Sequence, residues 1–428
     1  MYSTLKTGHT IMDACGVSIV GHGDAEVTKA VAEQMNKVAY THGMMHTSDT
    51  AEELAGLLVE DPSLELEKAY FVSSGSEAME SAMKLAVSYH IANGEPDRAH
   101  FVSRKQSYHG NSIGAMNIST NLRRKAPYEN AFGRLRVSHV SAACAYRDQL
   151  RGESEEQYVE RLLGELEAEF RNVGTNKVAA FVAETVGGST AGCLISPETY
   201  FERVRRLCSD YGILLILDEV MCGSGRTGTY YAFQAEGNVQ PDLVTLGKGL
   251  AGGYLPIAAV LVRGKIHEVI EQGGGFVHGH TYQAHPVSCA AALAVQRTIK
   301  GRDVLLRCAR FGAVLGERLR EALLGLKYVG DIRGRGLFWA VEFVEDGRTK
   351  QPLRVEFGFA ERLRGIAYDN GVALLSGSGT ADGVRGDHIM IAPPLQIGNE
   401  ELLSLVEVIR LAYIETEAAY DVCSSSEI

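Results

Sequence analysis

The stretch that decides the fold is Ile213–Gly253, ILLILDEVMCGSGRTGTYYAFQAEGNVQPDLVTLGKGLAGG. Its apolar run Ile213–Leu217 ends in Asp218. A run without polar alternation reads as a strand buried on both faces, the habit of parallel sheets covered by helices. A second run, Leu243–Leu246, is followed by Lys248, which stands between Gly247 and Gly249. In open parallel sheets ligands collect outside the carboxyl ends of the strands. An acid at one such end and an amine at the next are therefore placed to share a ligand.

The flanking sequence repeats the pattern. Val178–Ala183 reads as a strand ending in Glu184, and Tyr200–Tyr211 as a helix with Tyr200, Val204, Leu207, Cys208 and Tyr211 on one face. With Ile213–Leu217 these make a β-α-β unit. Upstream, the short strand Tyr70–Val72 runs into SSGSEAMESAMKLAVSYHIA, where Met79, Ala82, Met83, Ala86 and His90 recur at helical spacing. Ser74 and Glu77 have capping-box spacing, which puts Gly75 and Ser76 at a helix N-terminus with free amides. A strand near His100–Ser103 precedes the turn QSYHG, and Ser119–Ser138 reads as a loop. Ile257–Val262 is a further strand, and a helix follows Pro286. After Arg302 the texture changes to a long helix, alternating residues over Ile332–Val344, a helix near 355–369, strands near Val372–Leu375 and His388–Ile391, and a closing helix from Asn399. The expected fold is α/β: a large domain with a mostly parallel, seven-stranded-type sheet under helices, and a smaller α+β domain. The expected division is 50–300 for the large domain, with 1–49 and 301–428 building the small one.

The chain has 428 residues, 45% hydrophobic and 22% charged, which is ordinary for a globular protein. A net charge of −11 argues against a general nucleic-acid binder. The eight cysteines form no CxxC pair, as expected of reduced thiols in the cytoplasm. No apolar run reaches membrane-spanning length, and MYSTLKTGHTIMDACG lacks the pattern of a secretory signal. No metal-ligand spacing is seen.

Lys248 and Asp218 carry the chemistry. A lysine that condenses with a carbonyl must be partly desolvated so that a neutral amine is available, and flanking glycines let the backbone approach a ring. The bland alternative is a surface lysine in a Gly-rich loop. A carboxylate at a strand end can pair with a pyridinium nitrogen and so keep the ring electron-poor; the alternative is a helix cap or an ion-pair partner. Together they fit a site that binds a pyridoxal ring and attacks its aldehyde. The amides at Gly75–Ser76 make an anion site for a phosphate. Tyr108 or His109, in SYHG, could cover one face of a flat ring. Glu219 reads as structural. Two motifs point elsewhere. Gly223–Gly228, GSGRTG, matches GxGxxG, but Asp218–Cys222 separates it from the strand that a dinucleotide site requires. Gly110–Gly114, GNSIG, matches GxSxG and makes a serine hydrolase through Ser112 the alternative of a different class, although Ser112 lies well past the strand.

The ordered motifs GHG at Gly21–Gly23, SSGSEA, SYHG, ILLILDEV, GSGRTG, LGKGLAGG, HTY at His280–Tyr282, RGRGLF and APPL at Ala392–Leu395 resemble the class III, pyridoxal-phosphate-dependent aminotransferases of fold type I. AETVGGSTAG, DEVMCGSGRTG, GHTYQAHP and GTADGVRGDH resemble its ω-aminotransferase-like branch. The resemblance implies a ping-pong exchange of an amino group between a primary amine or amino acid and a keto acid or other carbonyl. A racemase or epimerase on the same fold would share the residues. The resemblance makes Lys248 the Schiff-base lysine, Asp218 the pyridinium partner, and Val220 and Tyr108 the residues on the two ring faces. Gly75 and Ser76 would hold the phosphate, and Glu184 would lie near the ring's hydroxyl edge. Thr281 resembles the residue that reaches the phosphate from a neighbouring subunit, which implies a homodimer with a composite site. Where several relatives carry a carboxylate-binding arginine this chain has Met390; Arg385, in the polar loop Gly377–Asp387, is expected to serve instead as a mobile arginine or to be simply solvated. Relatives carry a further segment ahead of the point where this chain begins. Ala14–Val20 lacks the aromatic of many amine–pyruvate enzymes, which implies room for a bulkier amine.

Overall fold

The computed structural model describes residues 2–4, 10–43, 45–237, 239–301 and 303–425. Its central sheet has seven strands in the spatial order Leu66–Val72, Ala258–Arg263, Leu243–Leu246, Leu214–Asp218, Val178–Glu184, His100–Arg104 and Arg136–Val140. Ala258–Arg263 runs antiparallel to both neighbours, and every other pairing is parallel. The unbroken apolar runs are explained by the packing. Leu214 and Ile216 point into a core shared with Met79, Ala82 and Ala86 of the helix Gly75–Ala92. Leu215 and Leu217 point into the opposite core, with Tyr158, Leu162, Tyr200 and Val204 of the helices Glu155–Val173 and Tyr200–Asp210. A two-residue period thus feeds two apolar layers from one strand.

Register places the chemistry. Glu184 stands opposite Asp218, and Asp218 opposite Thr245, so three polar residues line up across adjacent strands at the carboxyl edge.

Two expectations change in detail. Residues 119–138 do not form one loop: they hold the short helix Leu122–Lys125, a 3-10 segment Ala126–Ala131 and the start of the edge strand Arg136–Val140. An edge strand needs one buried face only, so RVSHV carries too few apolar residues to announce itself. Near Ser74 the capping box is displaced by one residue. The Ser74 hydroxyl accepts from Glu77 N at 3.2 Å, whereas the Glu77 carboxylate accepts from Ser73 N at 2.7 Å.

A second sheet is antiparallel, in the order Val329–Arg335, Phe338–Phe343, His388–Ile391 and Leu375–Gly377. The chain's first residues join this C-terminal part, since Thr10–Asp13 pairs in parallel with Val372–Ala373, Met12 opposite Val372. The helix Val304–Leu323 lies directly on the Val329–Phe343 hairpin. A Cβ at Gly312 would stand 2.1 Å from the Gly336 carbonyl oxygen, and one at Gly316 would stand 2.2 Å from the Trp339 ring. The contact at Gly312 is with backbone, which cannot rotate away. Gly312→Ala should therefore destabilise the protein by about 1–3 kcal/mol, as overpacking does. Gly164→Ala, on an exposed helical turn with nothing within 4 Å, should be neutral or stabilising. Thermal unfolding of the two variants beside the parent checks both.

Candidate active site

At the carboxyl edge of the central sheet a cavity is lined by Gly75, Ser76, Tyr108, His109, Gly110, Glu184, Asp218, Val220, Met221 and Lys248, among others. Six of the residues singled out in the sequence, Gly75, Ser76, Tyr108, His109, Glu184 and Val220, come together there with the Asp218–Lys248 pair named first.

Asp218 is 5% exposed and held from several sides. The Val220 amide donates to Oδ1 at 3.0 Å and the Thr245 hydroxyl to the same oxygen at 3.2 Å. His109 Nδ1 meets Oδ2 at 2.8 Å. A carboxylate offers about four lone-pair sites, and these contacts occupy three. His109 is itself buried, and its Nε2 meets no partner among the described residues.

Lys248 follows Leu243–Leu246 and adopts φ +40°, in the left-handed region. A non-glycine residue held there costs about 1–3 kcal/mol and persists only where its surroundings fix it. Among the described residues the ammonium makes no hydrogen bond and no ion pair. Burial pulls its pKa below the ordinary lysine value, opposed by the charges of Asp218 and Glu184. Glu184 accepts from Gly188 N at 2.8 Å and Tyr108 N at 3.2 Å, and burial pushes its carboxyl above the usual range despite His109 nearby.

The helix start is built for close approach. A Cβ at Gly75 would lie 2.7 Å from Val220 Cγ1, and one at Gly110 would lie 2.8 Å from Ser76 Oγ. Asn111 N donates to Ser76 Oγ at 2.9 Å. The Gly75 and Ser76 amides belong to the first helical turn, which has no intrahelical acceptor for them.

A class III aminotransferase profile matches residues 1–413. The chain belongs to the class III aminotransferases. An uncharacterized aminotransferase of Schizosaccharomyces pombe is 44% identical over 423 residues, which is 98% of this chain and 92% of the relative. A gamma aminobutyrate transaminase of Solanum lycopersicum is 34% identical over 94% of this chain and 86% of its own length. Among solved structures, an amine transaminase from an uncultivated Pseudomonas species in its PLP-bound form superposes with a TM-score of 0.89 at 32% identity, covering 97% of this chain and 93% of that one. The aminotransferase is therefore a pyridoxal-phosphate-dependent transaminase of fold type I, acting on an amine and a keto acid.

The cavity fits that cofactor on its own chemistry: a partner-free amine, a carboxylate with a spare acceptor site, and a helix start kept free of side-chain bulk at Gly75 and Gly110. Thr281 is exposed and does not line the cavity of its own chain. Arg385 also lies outside it, exposed and bound through Nε to Asp382 at 2.7 Å. Met390 is buried in an apolar cluster with Cys222, Phe338 and Ala340.

The transaminase assignment removes the hydrolase alternative, and geometry agrees. Ser112 Oγ donates to Glu80 at 2.7 Å and meets no histidine among the described residues. Glu219 is structural as expected, its carboxylate accepting from Thr185 Oγ1 and from Ala232 and Phe233 N at 2.7–2.8 Å. Burial nevertheless pushes its pKa up to about 7. Thr245 was not among the residues expected at the site, and His109 stood there only as an alternative to Tyr108. Thr245 was signalled by being the one polar residue of the strand LVTL, whereas His109 had no signal separating it from Tyr108.

GSGRTG has a structural task. Arg226 is 1% exposed, has no carboxylate partner among the described residues, and donates to the backbone carbonyls of Leu337 at 3.1 Å, Gly16 at 3.4 Å and Pro393. Burial draws its pKa down to about 10. Truncation would leave buried acceptors unpaired at about 1–3 kcal/mol each. Arg226→Met should lower the thermal midpoint of the protein by several degrees in a melting experiment while leaving the fold's secondary structure recognisable by circular dichroism.

Proposed function

We propose that Lys248 is the covalent anchor and proton carrier of the transamination, and that Asp218 holds the nitrogen of the cofactor ring. Pyridoxal phosphate, when bound, supplies an electron sink for the pair left on the substrate carbon. Lys248 is suited to its task because burial favours the neutral amine, which is both nucleophile and base. Asp218 is suited to its own because Val220, Thr245 and His109 fix its orientation and leave one acceptor position open. Gly75 and Ser76 would receive the phosphate, Tyr108 and Val220 would bound the ring faces, and Glu184 would sit at the hydroxyl edge. The amino donor is a terminal primary amine or amino acid, in keeping with the substrate that the tomato relative's name states.

The observation that carries this reading is the partner-free Lys248 amine in the same cavity as the Asp218 carboxylate. Lys248→Ala should remove the visible absorption band of the bound cofactor and lower turnover by at least about 10²–10⁴-fold, the usual worth of general acid–base catalysis. Retained turnover in Lys248→Ala would overturn it.

The same proposal makes the working unit a homodimer in which Thr281 serves the partner's site. Thr281 is exposed beside Tyr282, which is 62% exposed, and Val277, which is 89% exposed, an apolar face suited to a second copy. Residues 50–300 would form the cofactor-holding unit, and 1–49 with 301–428 the smaller one. Sedimentation of the active enzyme is expected to give the dimer mass, and a fully active monomer would refute the composite site.

A further inference from the structure

A second cavity adjoins the first and shares Ser189 with it; Asn121, Arg123, Arg124, Ser376 and Ser378 are among its lining residues. We infer that Arg124, with Arg123 beside it, forms the anion subsite that receives the substrate carboxylate at the mouth of the catalytic cavity, in place of Arg385. This rests on the reading of the first cavity as catalytic.

Five observations carry the inference. The Arg124 guanidinium lies 5.0 Å from the centroid of the Tyr108 ring, which lines the catalytic cavity, so the cation borders the space that a substrate must enter. Arg123 faces the charges of Glu361 and Asp387, whereas Arg124 has no such counter-charge among the described residues. Among the described residues Arg124 makes no ion pair, and the Arg123 side chain donates only to the Ser378 hydroxyl, at 3.4 Å.

The carboxylates in the second cavity are already committed. Glu361 is held by Arg364 and by the Ser376 hydroxyl at 2.5 Å, and Asp387 accepts from Ala360 N at 3.1 Å at the start of the helix Phe359–Asp369. With Arg123 facing both acids, the charge of the chamber left without a counter-ion is that of Arg124. Guanidinium is the group best matched to a carboxylate, through two parallel hydrogen bonds.

The segment that presents the pair is fixed. Asn121 caps the helix Leu122–Lys125 by accepting from Arg124 N at 3.3 Å, and its amide donates to Thr190 Oγ1 at 2.9 Å. Leu122 N donates to the Gly383 carbonyl at 3.1 Å. Lys125 turns inward, onto the carbonyls of Asn117 at 2.5 Å and Ser119 at 3.2 Å. Of the three cations of this short helix, Arg124 is the one left for a ligand. Finally, Arg385 is occupied by Asp382 through both its Nε and its backbone amide.

The substrates selected this way are amino acids and their oxo-acid counterparts over amines without a carboxylate. The test is steady-state kinetics of the holoenzyme with a 2-oxo acid acceptor, an amino-acid donor and a carboxylate-free amine donor, for the parent, Arg124→Gln, Arg124→Lys and Arg385→Gln. Arg124→Gln should raise KM for the two acids by about tenfold or more relative to its effect on the amine, the loss expected of a charge-assisted hydrogen bond, with kcat changed much less. Arg124→Lys should recover part of that loss, because it keeps the charge and not the fork. The cofactor's absorption band should persist in every variant. Equal effects on acids and amine, no effect on acid KM, or an acid-specific defect in Arg385→Gln alone would each overturn the inference. If instead Lys248→Ala stays active, the catalytic reading itself has failed, so the two failures are distinct.

Discussion

The arrangement depends on one buried charge-bearing group. Asp218 closes a strand that is apolar along its whole length, and a carboxyl there is tolerable only if its lone pairs are met. The three partners come from different elements: Val220 from the turn that follows, Thr245 from the neighbouring strand, and His109 from the loop after His100–Arg104. Strand register brings Thr245 beside it, and a slip of one residue would present an apolar side chain instead. The sheet is thus obliged to hold its register in order to satisfy the acid, and the satisfied acid lines the cavity.

Lys248 stands in the complementary position. Its backbone is held in a region that side chains avoid, and its amine is left without a partner, so the fold spends stability on it twice. The neighbouring glycines remove obstacles on the other wall, where Val220 fills the space a Cβ at Gly75 would need. Rigid placement of a few polar groups on strand ends and a helix start is the usual way such a cavity is kept preorganised.

Much of this was legible in the chain itself. Unbroken apolar runs identified the buried strands, and Asp218, Glu184 and Lys248 stood out because each ends or follows such a run. What the pattern does not encode is proximity across elements. The Asp218–His109 contact joins residues far apart in sequence, and nothing local to SYHG distinguishes a ring that stacks from one that hydrogen-bonds. The edge strand Arg136–Val140 escaped because one-sided burial leaves little periodic signal. Arg124 falls within residues 119–138, which read as a loop, and only the fold sets it over the Tyr108 ring.

The parallel pairing of Thr10–Asp13 with Val372–Ala373 bears on how the molecule comes into being. A ribosome releases the first of these strands long before the second exists, so on emergence the strand has Tyr2–Thr4 as a partner on one edge and none on the other. The central sheet, by contrast, has all its strands by Arg263 and its covering helices soon after. Vectorial synthesis therefore orders assembly: the large-sheet layer can condense while the nascent chain is still growing, and the amino-terminal hairpin of Tyr2–Thr4 with Thr10–Asp13 must wait for nearly the whole polypeptide before its other edge is filled. Arg226 ties the same knot from inside, since its Gly16 and Pro393 acceptors also come from opposite ends of the chain. Long-range closure of this kind is slow, and it makes the last step of folding the one that seats the residues around Gly16 against the finished sheet.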